Sequence, residues 1–509
     1  MKYQEKLFSR RLFAVKPALK LLAGFALLAL TACGDSGSDE VPPEHSFAQQ
    51  AYLKALNADA FDVFGNSVAL DGDTLVVGAS NEQGDASSTA DNPNNNIPQG
   101  DDSSAGAVYV FTRSNGVWSL QAYLKASNAG AEDGFGNSVA LSGDTLAVGA
   151  YYEGGDASSS AASPNDNAPF AGAVYVFTRS GTSWSQQAYL KASNAGAGDE
   201  FGRSVALEGD TLAVAAPQED GDVNSTAASP NDNVQDAGAV YIFTRTGTSW
   251  SQQAYLKASN AGTTLDRFGG SVALDGDTLA VGASGEDGDA NSTAADPNDN
   301  GFNTGAVYVF TGSGTSWSQQ AYLKASNAGG SDAFGGSVTL EGDTLAVGAS
   351  GEAGDADSTA ANPNDNASAT GAVYVFTGSG ANWTQQAYLK ASNAGASDRF
   401  GLSLALSGNT LAVGTYIEAG DADSTAANPN DNASSAGAVY LFTRSGANWS
   451  QQAYLKASNA ETGDEFGLSV ALSGDTLAVG ADGEDGDASS TAASPNDNAP
   501  LAGAVYVFQ

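Results

Sequence analysis

The sequence predicts an all-β fold, a seven-bladed β-propeller of four-stranded antiparallel blades, and three observations carry that prediction. Phe-Gly recurs seven times, at Phe64, Phe135, Phe201, Phe268, Phe334, Phe400 and Phe466, at intervals of 71, 66, 67, 66, 66 and 66 residues. Gly-Ala-Val-Tyr also recurs seven times, beginning at Gly106, Gly172, Gly238, Gly305, Gly371, Gly437 and Gly503. Gln-Ala-Tyr-Leu-Lys, the third string, first occurs at Gln50–Lys54, ahead of any Phe-Gly, so the repeat is cut between two of its own strands. A fixed period near 66 makes 509 residues one repetitive architecture instead of the three or four domains suggested by length. After residue 33 no stretch shows helical spacing of apolar residues.

Each element can be read in order from the unit that begins at Phe201. Ser204–Leu207 alternates apolar and polar residues and stops at Gly209-Asp210, which suits a tight primed hairpin turn. Thr211–Ala215 is the second strand, and a long polar stretch follows over 217–237. Gly238–Phe243 is the third strand and Trp250–Lys257 the fourth. Four short strands joined by hairpin-type connections form a meander. With apolar residues on both faces it must stack on a neighbour, and radial stacking of such sheets makes a propeller.

The cut position predicts closure. The last unit supplies three strands over Ser469–Phe508, and the fourth is Gln49–Ala55 at the other end of the chain. Phe47 then occupies the place of Trp118, Trp184, Trp250, Trp317, Trp383 and Trp449, aromatics expected to pack between blades. Pairing the first strand with the last removes both open edges. The propeller is assigned to residues 47–509.

Residues 1–33 read differently. Lys2, Lys6, Arg10, Arg11, Lys16 and Lys20 precede the apolar run Leu21–Leu30, too short to span a bilayer comfortably and expected of a secretory signal. Leu30-Thr31-Ala32-Cys33 resembles the bacterial lipobox, which makes Cys33, the only cysteine, the expected lipidation site. Acyl chains at about 0.8 kcal/mol per buried CH₂ would hold the protein at a membrane surface. Gly34 after the cysteine resembles the sorting signal for the outer membrane, and 34–46 is expected to be a disordered tether. The expected location is thus beyond the inner membrane of a bacterium, lipid-anchored at the outer membrane or cell surface.

Beyond that leader the chain holds 57 acidic and 14 basic residues. Such a surface repels nucleic acid and anionic lipid, and attracts metal cations or basic partners. Seven of the 14 are the repeat lysines Lys54, Lys125, Lys191, Lys257, Lys324, Lys390 and Lys456.

With Phe-Gly opening each unit, Val-Gly-Ala or Val-Ala-Ala-Pro closing its second strand and Gly-Ala-Val-Tyr in its third, residues 47–509 resemble FG-GAP repeats, the family of the integrin α-subunit head propeller and of many bacterial surface proteins. The resemblance implies a seven-bladed propeller and extracellular ligand binding in adhesion. One departure matters: integrin-type blades often carry an Asp-x-Asp-x-Asp-Gly calcium loop between strands 1 and 2. Here that connection is the Gly-Asp turn, too short to give Ca²⁺ its six to eight oxygens.

Strand parity sends the short turns to one end of the ring and the long acidic loops, with the inter-blade links, to the other. Each long loop repeats a Glu and an Asp three residues apart: Glu82/Asp85, Glu153/Asp156, Glu219/Asp222, Glu286/Asp289, Glu352/Asp355, Glu418/Asp421 and Glu484/Asp487. Pro-Asn-Asp-Asn follows in six of them, with Asp166, Asp232, Asp299, Asp365, Asp431 and Asp497. These hard oxygens are the candidate Ca²⁺ ligands, since a loop of that length usually has a role. Asp and Asn also make Asx turns unaided. Each link ends in Asp-x-Phe-Gly (Asp62, Asp133, Asp199, Asp266, Asp332, Asp398, Asp464), an aspartate expected to bond the backbone of its own turn.

Enzymatic chemistry is not expected. His45, in the tether, is the only histidine, so neither a Ser-His-Asp nor a Cys-His arrangement can form in the ring, and zinc ligation lacks its ligands. Carboxylate chemistry of the glycosidase type is open in principle. However, the blades are nearly identical, and the deviations (Arg203, Arg267, Arg399, and Asp101 and Asp102 in the longer first loop) form no constellation in the sequence. The expected function is a surface-anchored, non-enzymatic adhesion module, monomeric, presenting its acidic face to a protein or cell-surface ligand. The alternatives are a lectin-like propeller with exposed tryptophans stacking on sugars, or a purely structural surface protein.

Overall fold

The computed structural model describes residues 47–89, 104–160, 163–226, 229–261, 265–293, 298–359, 362–425, 428–491 and 494–509. The leader, Cys33, the tether and the Asp101/Asp102 pair lie outside them. All regular elements among the described residues are strands, which form seven four-stranded antiparallel sheets. Six take four consecutive strands each. The seventh orders Gln49–Leu53, Ala504–Phe508, Thr476–Ala481 and Ser469–Ser473, which closes the ring as its cut predicts.

Blade 3 shows why these residues form these strands. Its strands are Val205–Glu208, Thr211–Ala216, Ala239–Thr246 and Ser249–Leu256. Two residues separate the first pair, with Gly209 at a φ of 55° where a primed turn needs a positive value. The second and third strands are buried on both faces and read as near-continuous apolar runs, with Val214 opposite Tyr241. The outer strand carries a feature the repeat does not announce. Its register against the third strand slips between Ile242 and Phe243, so Gln253 is the extra residue of a bulge. All six other blades slip at the equivalent place, Gln50 being the extra residue in the blade that closes the ring.

The core lies between blades, not within them. Phe201 is fully buried, with ring centroids 5.3 Å from Tyr241 and 6.0 Å from Phe243 in near-perpendicular arrangements. Val174 and Val176 of the preceding blade pack into the same cluster. Burying one such ring stabilises by about 1.5–3 kcal/mol, and the arrangement recurs around the ring.

The strand nearest the axis is clasped to the next blade by serine. Ser337 Oγ donates to the Gly401 carbonyl at 2.7 Å, and Ser67, Ser138, Ser403 and Ser469 repeat the bond at the same distance. The approach explains the Gly of Val-Gly-Ala: a Cβ at Gly348 would run into the Gly401 carbonyl oxygen and Ser337 Oγ. Blade 3 has Ala215 at this place. There the inner strand begins one residue later than its neighbours, and Ser204 Oγ accepts from the Val272 amide at 3.2 Å instead of donating to a carbonyl.

Candidate functional site

The seven loop glutamates are buried, none more than 3 % exposed. Glu219 shows what holds them. Its Oε1 accepts from Tyr255 Oη at 2.7 Å and from Asn194 Nδ2 at 3.1 Å, and its Oε2 from Lys257 Nζ at 2.8 Å and the Gly221 amide at 2.9 Å. Four donors use the four lone-pair directions a carboxylate offers. Asn194 also accepts from Tyr241 Oη at 2.9 Å, so the strand-3 tyrosine, the link from the preceding blade and the repeat lysine share one polar knot. Direct Lys–Glu pairs join Lys54 to Glu484, Lys191 to Glu153, Lys257 to Glu219, Lys324 to Glu286 and Lys456 to Glu418, at 2.7–2.9 Å. In blade 1 Glu82 takes Asn57 and Tyr109 as donors and Lys125 turns to the Gln83 carbonyl. In blade 5 Lys390 donates to Thr370 and the Gly371 carbonyl, while Tyr388 holds Glu352 at 3.1 Å. Burial pushes these lysines below their ordinary range, and the neighbouring glutamate pulls them back.

The aspartate three residues on does not join this knot. Asp222 is half-buried at the loop surface, where its Oδ1 accepts from the Asn224 amide at 2.7 Å and Asn231 Nδ2 at 3.0 Å, and its Oδ2 from Asn233 Nδ2 at 3.0 Å. Those hydrogen bonds, Asn233 first, hold its carboxyl below the usual range. Asp156, Asp289, Asp355, Asp421 and Asp487 are held by the same asparagine pair. Asp232, Asp299, Asp365, Asp431 and Asp497 of Pro-Asn-Asp-Asn are exposed. The donor set therefore does not fit the Ca²⁺ reading: five of the seven glutamates take four donors, an ammonium among them, Glu82 and Glu352 each hold a tyrosine and an asparagine, and each aspartate ties its own loop. Among the described residues no group of three or more His, Cys, Asp or Glu stands ready to hold a metal ion.

The Asp-x-Phe-Gly aspartates bond their own turns. Asp199 Oδ2 accepts from the Gly196 amide at 2.7 Å, and Asp62, Asp133, Asp332, Asp398 and Asp464 repeat the bond. Burial raises their carboxyls, to about 7 at Asp133, Asp199 and Asp464 and about 6 at Asp398.

The tryptophans are held between blades. Trp184 Nε1 donates to Gln121 of the preceding blade at 2.9 Å, and the Arg179 guanidinium lies 5.2 Å from its ring centroid. Arg179 also reaches Asp144 at 2.6 Å and Thr74 of blade 1 at 2.9 Å. Arg113, Arg245 and Arg444 stand over Trp118, Trp250 and Trp449 in the same way.

The deviant residues, which form no constellation in the sequence, come together on the loop-rich face. Repeat for repeat, the blades differ at the x of Asp-x-Phe-Gly, just after Phe-Gly, at the two residues after strand 2, and at the residue two before Gly-Ala-Val-Tyr, where Phe170 and Asn303 stand. Seven links clamped to the preceding blade carry the first two of these positions. Glu200 and Phe201 amides, for instance, donate to the Phe170 and Ala171 carbonyls at 3.0 Å. The clamp holds the x residue at positive φ in every blade: Val63 53°, Glu200 57°, Arg267 56°, Ala333 57°, Arg399 56° and Glu465 59°, with Gly134 the one glycine. A β-branched valine in that region is strained.

Four cavities run around this face and share walls. Tyr152 borders both a cavity of about 470 Å³ that also meets Tyr151 and Phe170, and one of about 340 Å³ that holds Glu200, Arg203, Gln218 and Arg267. Arg267 and Ser284 border the second and a third of about 430 Å³, which adds Leu265, Asn303 and Phe302. Ser331 and Ala333 lead to a fourth of about 470 Å³ that ends at Arg399. Tyr151 and Tyr152 lie 3.8 Å apart between centroids, and Phe170 meets Tyr152 edge-on at 5.1 Å. Arg203 stands 4.6 Å over the Tyr151 ring and 3.9 Å from Glu200. Phe170 and Phe302 remain 46 % and 68 % exposed, apolar surface where a ligand could stack.

A closed propeller with one differentiated face belongs to the class of binding or structural modules. The family is shown by comparison: FG-GAP repeats match at 47–111, 118–177, 184–243, 250–310, 317–376, 383–442 and 449–508, and the chain belongs to the FG-GAP repeat family. Comparison with curated proteins finds no match.

Proposed function

We propose that the protein is a non-enzymatic binding module, held at a bacterial cell surface through lipidated Cys33, that engages a cell-surface or extracellular ligand with its loop-rich face. The observation that carries this reading is where the repeats differ. Seven units that agree in their cores and loop knots diverge at side chains that converge around the axis on one face, several of them on a strained backbone. Stability alone would favour glycine at such φ values, so their diversity points to contact with something outside the chain. The integrin-type resemblance agrees with a ligand on a propeller face. The tryptophans do not support a lectin reading, because blade packing occupies them.

The test is binding of the purified chain to intact bacterial cells and to protein- and glycan-coated surfaces. A variant carrying Tyr152→Ala, Arg203→Ala and Arg267→Ala is compared with Val117→Ser/Asp475→Asn on the short-turn face. The first should lose binding and the second retain it. Equal binding by the two would sink the proposal.

A further inference from the structure

We infer that the arc of cavities from blade 1 to blade 5 is a subsite for an acidic oligosaccharide, a chain of sugar rings bearing carboxylates of the uronic-acid type. The inference rests on the binding role of this face proposed above and names the ligand chemistry.

Charge selects the sign. Of the fourteen basic residues beyond the leader, seven lysines point into the loop knots and four arginines lie over tryptophans at the short-turn end. The remaining three, Arg203, Arg267 and Arg399, are exposed, and each borders a cavity of the arc. Among the described residues, the cations outside the loop knots and the tryptophan stacks therefore line this face, Arg203 pairing there with Glu200 and standing over Tyr151. Guanidinium suits a carboxylate because its planar donors match both oxygens.

Two further observations select a sugar. Tyr151, Tyr152 and Phe170 form a rigid aromatic ledge beside Arg203, which offers an apolar plane against which the C–H face of a sugar ring can lie. Around it the walls are hydroxyl and amide groups (Ser80, Asn81, Gln218, Ser284 and Asn303) that can both donate and accept, as sugar hydroxyls require. The arc is also extended and open, with walls shared from one cavity to the next, which suits a linear chain more than a compact molecule. Glu132 in the cavity of the ledge, Glu200 beside Arg203 and Asp287 in the third cavity add counter-charge. A ligand with one acid per ring tolerates that, whereas a densely acidic peptide would be repelled.

The experiment is calorimetric titration of the full chain with uronate oligosaccharides of about six rings (galacturonate, glucuronate and mannuronate series), their methyl esters, and a poly-glutamate peptide. At least one uronate series should bind, with its ester at least tenfold weaker. Tyr152→Ala and Arg203→Ala should each weaken binding tenfold or more without moving the melting temperature, and Asp475→Asn should leave it unchanged. Failure of all uronates to bind, equal binding of the esters, or binding of poly-glutamate as tight as any uronate would overturn the inference. If the uronates fail while the triple variant still loses cell binding, the ligand class is wrong and the proposed role of the face stands.

Discussion

Lys54 and Glu484, 430 positions apart, meet at 2.7 Å with side chains 5 % and 3 % exposed. Their pair is the loop knot of blade 7 and, at the same time, a bolt between the two ends of the ring. Tyr52 adds a bond to the same carboxylate at 2.6 Å, and Ala48 and Gln509 exchange two backbone bonds at 3.1 Å.

Removing one partner of this pair should destabilise strongly. A buried ion left alone costs about 3–5 kcal/mol, so Lys54→Met should lower the denaturant midpoint sharply. Lys54→Met combined with Glu484→Gln should recover much of the loss. Denaturant unfolding of the single and double variants measures this coupling, and a double variant no better than either single would refute it.

Stability should fall as pH rises from 5 to 8. Asp133, Asp199 and Asp464 titrate at about 7 and Asp398 at about 6 in the fold, against 3.8 for an ordinary aspartate. Folding thus favours the protonated form. That contribution is complete below 3.8 and is lost as pH passes through 6 to 7. Melting curves should show a higher midpoint at pH 5 than at pH 8. Asp199→Asn, which keeps an acceptor for the Gly196 amide, should flatten the slope.

Gly348→Ala should cost about 1–3 kcal/mol, the usual range for overpacking. The new methyl meets the Gly401 carbonyl and Ser337 Oγ at the closest approach of two blades. Blade 3 shows the adjustment such a methyl demands, because beside Ala215 the serine clasp is reorganised. An unchanged melting temperature would show that the clasp is slack.

Calcium should not stabilise the ring. With Glu153, Glu219, Glu286, Glu418 and Glu484 saturated by Lys, Tyr, Asn and backbone donors, millimolar Ca²⁺ added after chelation should leave the melting temperature where it was. Lys257→Met removes the competing ammonium, and a Ca²⁺ response confined to that variant would confirm what fills the site in the native protein.

Much of the architecture was legible in the chain. The seven Phe-Gly and Gly-Ala-Val-Tyr strings, the alternation between them and the Gly-Asp turns fix strands, count and closure, because hydrophobic period and turn chemistry are local properties. The tryptophans and the link aspartates, repeated from blade to blade, are likewise legible as structural residues. The outer-strand bulge at Gln253 was not legible, since an inserted residue looks like any other member of a polar run.

What the sequence determined by itself is the seven-bladed closed ring and the separation of short turns from long acidic loops. What only the tertiary structure decided is which charges are spent. Glu219 and Asp222 look like one ligand pair in sequence, but the fold buries the first against Lys257 and turns the second outward to two asparagines. Arg203 and Arg267 look like isolated deviations, yet stacking of adjacent blades puts both on one cavity beside Tyr152. The physical reason is the same in each case: a carboxylate or guanidinium takes its role from the donors, acceptors and rings that ring closure brings to it, and those come from distant parts of the chain.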